Sequence, residues 1–170
     1  MTDNPMNRRD FFAGAAAVAA GTAAGGFNPS EAQKTAIISE FTRSAKMDGV
    51  TLSFVLLNNK TVEALFSGEG KYAMRARANM ATIFFVQGVP EKNIKLDPQF
   101  EVEQDGQTYK GETINMKNLQ SGNVAKGTRI EGLIQLNRKI DLNQPFKVRC
   151  VHNPSADFKL SPETLKLLEN

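Results

Sequence analysis

The sequence predicts a mainly all-β protein, an antiparallel β-sandwich with a short N-terminal helix and a short C-terminal helix. Three observations carry this. Runs rich in Val, Ile, Phe and Thr recur between turn signals after Gly49. Two-residue turn signals, Asn58-Asn59 and Asp105-Gly106, join neighbouring runs. No amphipathic helical stretch separates the runs, so the crossovers that parallel strands need are missing.

In chain order, residues 31 to 46 have helical periodicity, with Ile37, Ile38, Phe41 and Ala45 on one face. Ser30 and Gln33 fit a capping box at the start of that helix. Gly49 ends the pattern, which defines a helical segment over 33–48 and a sandwich domain over 49–170. Val50 to Leu57 and Thr61 to Phe66 are β-prone runs around Asn58-Asn59, and a hairpin is expected there. Residues 71 to 87 alternate. Tyr72, Met74, Ala76, Ala78 and Met80 fall on one side and Lys71, Arg75, Arg77 and Asn79 on the other, a half-buried strand pattern. Ile83-Phe84-Phe85-Val86 is apolar at successive positions, so both of its faces should be buried. Phe100 to Glu103 meets the Asp105-Gly106 turn, and Tyr109 to Met116 follows. Thr128 to Leu136 and Phe146 to Val151 read as further strands, about seven in all. Ser161-Pro162-Glu163 opens a short capped helix.

From Phe100 to Val151 the spacing Asp105-Gly106-Gln107-x-Tyr109, Gly127-x-x-x-x-Gly132 and Pro145-Phe146-Lys147-Val148 resembles small immunoglobulin-like domains of exported bacterial proteins. The Cys and Trp marker of antibody-type domains is absent, because the chain has no Trp.

The N-terminus carries an address. Asn7-Arg8-Arg9-Asp10-Phe11-Phe12 resembles the twin-arginine (Tat) export motif, matched at Arg8, Arg9 and Phe11 and departing from it at Asn7, Phe12 and Ala13. Of the 12 residues from 13 to 24, eight are Ala and only Val18 is a large aliphatic. Such a stretch is too short and too weakly apolar for a span and suits a signal peptide. Cleavage is expected after Ala32, with Ala24 as the alternative. No stable membrane span is expected after cleavage. The resemblance implies a periplasmic or extracytoplasmic location. It also implies export of an already folded chain, as for redox proteins and for small subunits carried out with them.

Composition excludes several chemistries. One Cys forbids an intramolecular disulfide and one His forbids a multi-histidine metal site; a catalytic triad would have only His152 to serve as its base, which nearly excludes it. The formal charge of +3 is too slight to argue for nucleic acid, which an exported protein seldom meets. No cofactor motif is present: Gly68-Glu69-Gly70-Lys71 lacks P-loop spacing and reads as a turn. Met47, Met74, Met80 and Met116 read as core filling. Asn59-Lys60-Thr61 fits a glycosylation sequon, a reading that a Tat address makes remote. Glu101, Glu103, Glu112 and Glu131 read as solvent-facing strand residues.

Two groups of side chains remain. Cys150 and His152, two apart on one strand, would share a face and could hold a metal or pair a thiolate with a base. Against this, the same face carries Phe146 and Val148, which makes Cys150 a core residue. Lys71, Arg75 and Arg77 form a basic stripe suited to an anionic partner. The expected function is that of an exported, non-enzymatic accessory domain binding another exported protein. A metal- or cofactor-linked component of an exported redox system is the alternative, and a carrier of a small apolar ligand, suggested by 11 Phe, is a third. Replacing Arg8 and Arg9 together with Lys removes the planar, multi-donor guanidinium groups. Precursor should then accumulate in the cytoplasm, as read by fractionation; normal export of the variant would show that another route is used.

Overall fold

The computed structural model describes residues 30–169. It is mainly β, with four short helices. In chain order these are α1 (Glu31–Glu40), β1 (Thr42–Met47), β2 (Val50–Leu56), α2 (Asn59–Leu65), α3 (Gly68–Met80), β3 (Ile83–Gly88) and β4 (Ile94–Leu96), then β5 (Phe100–Gln104), β6 (Gln107–Lys117), β7 (Gly122–Val124), β8 (Ile130–Gln135), β9 (Phe146–Cys150), β10 (Ala156–Phe158) and α4 (Pro162–Lys166). Eight strands form one antiparallel sheet in the order β1-β2-β3-β8-β6-β5-β9-β10, and β4 pairs with β7 in a small separate ribbon. The large sheet curls until it is nearly a barrel, and an immunoglobulin-like sandwich is not confirmed.

Local chemistry decides where the sequence reading and the structure part. Ser30 and Gln33 do form the capping box: Gln33 N donates to Ser30 Oγ and Ser30 N to Gln33 Oε1. The helix stops at Glu40, and residues 42–47 pair with β2 through a two-residue turn at Asp48-Gly49, where Gly49 takes φ +82°. A helix running on to residue 46 would leave Val50–Leu56 as an exposed edge; β1 covers it. The expected hairpin at Asn58-Asn59 is replaced by helix α2. Asn58 is its N-cap, with Oδ1 accepting from Lys60 N at 2.9 Å and Thr61 N at 3.0 Å. Thr61 Oγ1 accepts in return from Asn58 N and donates to Leu56 O. An Asn side chain serves equally as a cap and as a turn residue, and here the cap prevails. The alternating strand expected from 71 is helix α3. Met74 and Ala78, four residues apart, are its buried positions, and Tyr72, Ala76 and Met80 face away. Strand begins at Ile83.

Several other expectations hold, although the described residues carry ten strands against the expected seven or so. Asp105 (φ +52°) and Gly106 (φ +73°) make the two-residue turn between β5 and β6. Strands appear near Phe100, Tyr109, Ile130 and Phe146, and Ser161 caps α4 through Thr164 N at 3.1 Å.

The curled sheet encloses one core and carries another outside. Leu52 and Phe54 of β2, Phe84 and Val86 of β3, and Phe146 and Val148 of β9 point inward. Phe146 and Phe158 stack at 4.8 Å, and Phe84 lies against both rings. Intervening residues Val55, Ile83, Phe85 and Leu133 point outward and pack under Val62, Phe66, Met74 and Ala78 of the helical layer. The expectation that 83–86 is buried on both faces is met by this arrangement. At the seam, the Arg43 guanidinium of β1 lies 5.7 Å from the Phe158 ring of β10, and Thr164 Oγ1 donates to Glu40 Oε2 at 2.8 Å.

Curvature is set by close contacts across the strands. The long strand β6 pairs with β5 up to Gly111 and with β8 from Glu112 onward. A Cβ at Gly111 would stand 2.4 Å from Ile134 Cγ2. One at Gly132 would stand 2.2 Å from Leu119 Cδ2 and 2.6 Å from the Ile114 carbonyl oxygen. Backbone cannot yield as a side-chain tip can. Gly132→Ala should therefore cost about 2 kcal/mol, read as a lower urea midpoint at an unchanged slope. Wild-type stability in this variant would show that the sheet relaxes freely at the crossing.

Candidate functional site

Cys150 ends β9, 3% exposed, in the inner core. Its Sγ donates to Asp97 O at 3.2 Å. Burial, reinforced by the Asp97 charge, pushes the thiol above its ordinary value. The strand stops at Cys150, and His152 sits in the following turn with φ +67°, exposed. The shared face read from the i, i+2 spacing therefore does not exist, because that rule needs an unbroken strand. No group of three or more His, Cys, Asp or Glu side chains arranged to hold a metal occurs among the described residues.

Lys71, Arg75 and Arg77 lie on helix α3, so the basic stripe of one strand face is redistributed around a helix. Lys71 Nζ reaches Glu63 Oε1 of α2 at 2.8 Å, and Arg75 Nη2 binds Glu63 Oε2. The hydrogen bond from Lys71 holds the Glu63 carboxyl below its usual range. Two of the three cations thus tie α3 to α2 across the Gly68 bend, and Arg77 remains on the outer side. Tyr72 (66% exposed), Ala76 and Met80 (82% exposed) follow one another at four-residue spacing along α3. This apolar line beside Arg77 was concealed in the sequence, where the same residues read as the buried face of a strand.

One carboxylate is also misplaced by the sequence reading. Glu131 is 2% exposed, paired in register with Gln87 of β3 and approached by Arg129 Nε at 3.8 Å. It lies on the outer face of the sheet, where alternation puts a polar side chain. The burial comes from tertiary neighbours that alternation does not register. Glu101 binds Arg149 of the paired strand instead, at 2.5 Å.

A pocket of about 190 Å³ opens at the end of the barrel where α2 begins and α3 finishes. Leu56, Ile140 and Leu142 contribute apolar lining, with Leu167 and Leu168 from the chain's far end. Lys60 and Lys139 are its charged residues. Lys139 Nζ donates to Ala78 O at 2.5 Å, and burial lowers its pKa. Asn58 also lines the pocket, and its Nδ2 is buried without a hydrogen-bond partner. Thr82 joins the two loops that form the wall, accepting from Ile140 N at 3.0 Å. Only the capping role of Asn58 leaves a sequence signal; Lys139 and Thr82 leave none.

The export motif Arg8, Arg9 and Phe11 lies outside the described residues. No helix among the described residues is long and apolar enough to cross a membrane. Comparison of the chain with protein-family models, curated proteins and solved structures gives no match.

Cys150 should resist a thiol reagent near neutral pH in the folded protein and react once denatured. Cys150→Ala should cost on the order of 1 kcal/mol. Because the folded pKa is raised, the thiol's contribution is complete below the unfolded value of about 8.5 and is lost as pH rises through the folded one. Rapid labelling of folded protein would contradict this placement.

Proposed function

We propose that this chain is an exported, non-enzymatic accessory domain that docks on another exported protein through helix α3. The observation that carries the reading is the exposed line Tyr72, Ala76 and Met80 beside Arg77. Large apolar side chains at 66% and 82% exposure lose little by staying in water singly, but aligned on a helix they form anchors for a groove. The surrounding charge selects the partner. Lys71 and Arg75 are engaged by Glu63, so Arg77 beside the line is the cation left to a partner, and a groove with an acidic group on its rim fits best.

Export rests on the Tat resemblance at Arg8, Arg9 and Phe11. Cleavage after Ala32 takes two of the 21 basic and three of the 18 acidic side chains and leaves a net charge of +4, whereas cleavage after Ala24 takes two of each and leaves +3. The capping box at Ser30 and Gln33 supports cleavage after Ala24, since a cut after Ala32 would remove the cap and the first two residues of α1.

The test is co-purification from the extracytoplasmic fraction with the native chain and with variants. A stoichiometric partner should be recovered with the native protein and with Lys110→Ala, a change on exposed β6. Tyr72→Ala combined with Met80→Glu should weaken its binding at least tenfold, since aromatic anchors dominate such interfaces. Undiminished recovery with the double variant would remove α3 as the docking face.

A further inference from the structure

We infer that the pocket at the barrel end, between Asn58, Lys60, Lys139 and Leu168, binds a carboxylate that carries a short apolar tail. The inference stands apart from docking through α3, because none of Tyr72, Ala76 and Met80 lines this pocket.

The lining selects the ligand. Its charged residues are both lysines, and no Asp or Glu lines it, so an anion is favoured and a cation repelled. Lys139 is held in place by Ala78 O, which occupies one of the three donors of its ammonium and leaves two. Asn58 adds a directed donor. Its Oδ1 is fully committed to capping α2, which fixes the amide plane, and Nδ2 is the group left over. Nδ2 is closed off from solvent, so an oxygen reaches it only when a neighbouring side chain moves aside, and then recovers the free energy that a buried N–H without an acceptor costs. Asn59, Asn79 and Thr82 add uncharged polar groups to the lining, and the apolar side made by Leu56, Ile140, Leu142 and Leu168 suits a short hydrocarbon chain.

Size sets the scale. At about 190 Å³ the space is below that of pockets for drug-sized molecules and takes a ligand of a few heavy atoms. Such a carboxylate has two sources: a free short-chain acid, or the C-terminal residue of a polypeptide. Both present the same oxygens and a similar tail.

Titration of the full chain with sodium hexanoate, followed by amide chemical shifts, tests the inference. Saturable binding with a Kd of about 1 mM is expected, with the largest shifts at Asn58, Asn79, Lys139 and Leu168. Hexanol, of equal length and uncharged, should bind at least tenfold more weakly. Lys139→Met should reduce hexanoate affinity by a similar factor; should that variant fail to fold, Lys60→Gln gives a second reading, and the comparison of hexanoate with hexanol on the native chain needs no variant. An N-acetylated dipeptide ending in free Leu distinguishes the sources: tighter binding than hexanoate assigns a polypeptide end, and equal or weaker binding assigns a free acid. Absence of saturable hexanoate binding, equal binding of hexanol, or shifts confined to residues outside the pocket would overturn the inference.

Discussion

Strand β3 must be covered on two sides, and the architecture follows from that demand. Ile83-Phe84-Phe85-Val86 presents large side chains to both faces, each of these residues no more than 1% exposed. The inward pair is met by curling the sheet until phenyl rings from β9 and β10 reach Phe84. The outward pair needs something other than sheet, and α2 and α3 supply it with Val62, Phe66, Met74 and Ala78. Neither cover is optional, since burying a Phe or Ile side chain contributes roughly 1.5–3 kcal/mol that water would otherwise withhold.

How much of this the sequence reveals depends on how many structures a pattern admits. Ile83 to Val86 admits one reading, a strand buried on both faces, and that reading holds. Asp105-Gly106 likewise has few alternatives, because both residues must accept positive φ. Residues 71–80 admit two. The apolar positions at 74 and 78 satisfy both a period of two and a spacing of four, and the intervening Ala and Arg are strong helix formers that propensity would have favoured over strand. Asn58-Asn59 is ambiguous in the same way, since an Asn side chain caps a helix by the chemistry that lets it form a turn.

The candidate sites are less legible than the fold. The Cys150 and His152 pairing assumed that β9 extends past residue 150, and a strand end is the part of a pattern that periodicity defines worst. Cys150 itself is legible as a core residue, because its neighbours Phe146 and Val148 define the face it shares. The pocket joins residues from positions 56 to 168, and no local pattern links them. Only the curl of the sheet brings them together, so a ligand site of this kind is a property of topology, not of a motif.

The seam between β1 and β10 has a consequence for how the chain reaches its native state. Strands β1 to β3 and β5 to β6 pair with neighbours close in sequence, so they can organise early at small entropic cost. Closing the seam instead brings together groups far apart in the chain, among them Glu40 with Thr164, 124 positions away, and the Arg43 guanidinium with the Phe158 ring. Contacts of such separation are the slow ones in folding. Until β10 and α4 dock, the Phe84 and Phe146 rings of the interior lack the Phe158 ring that packs against both.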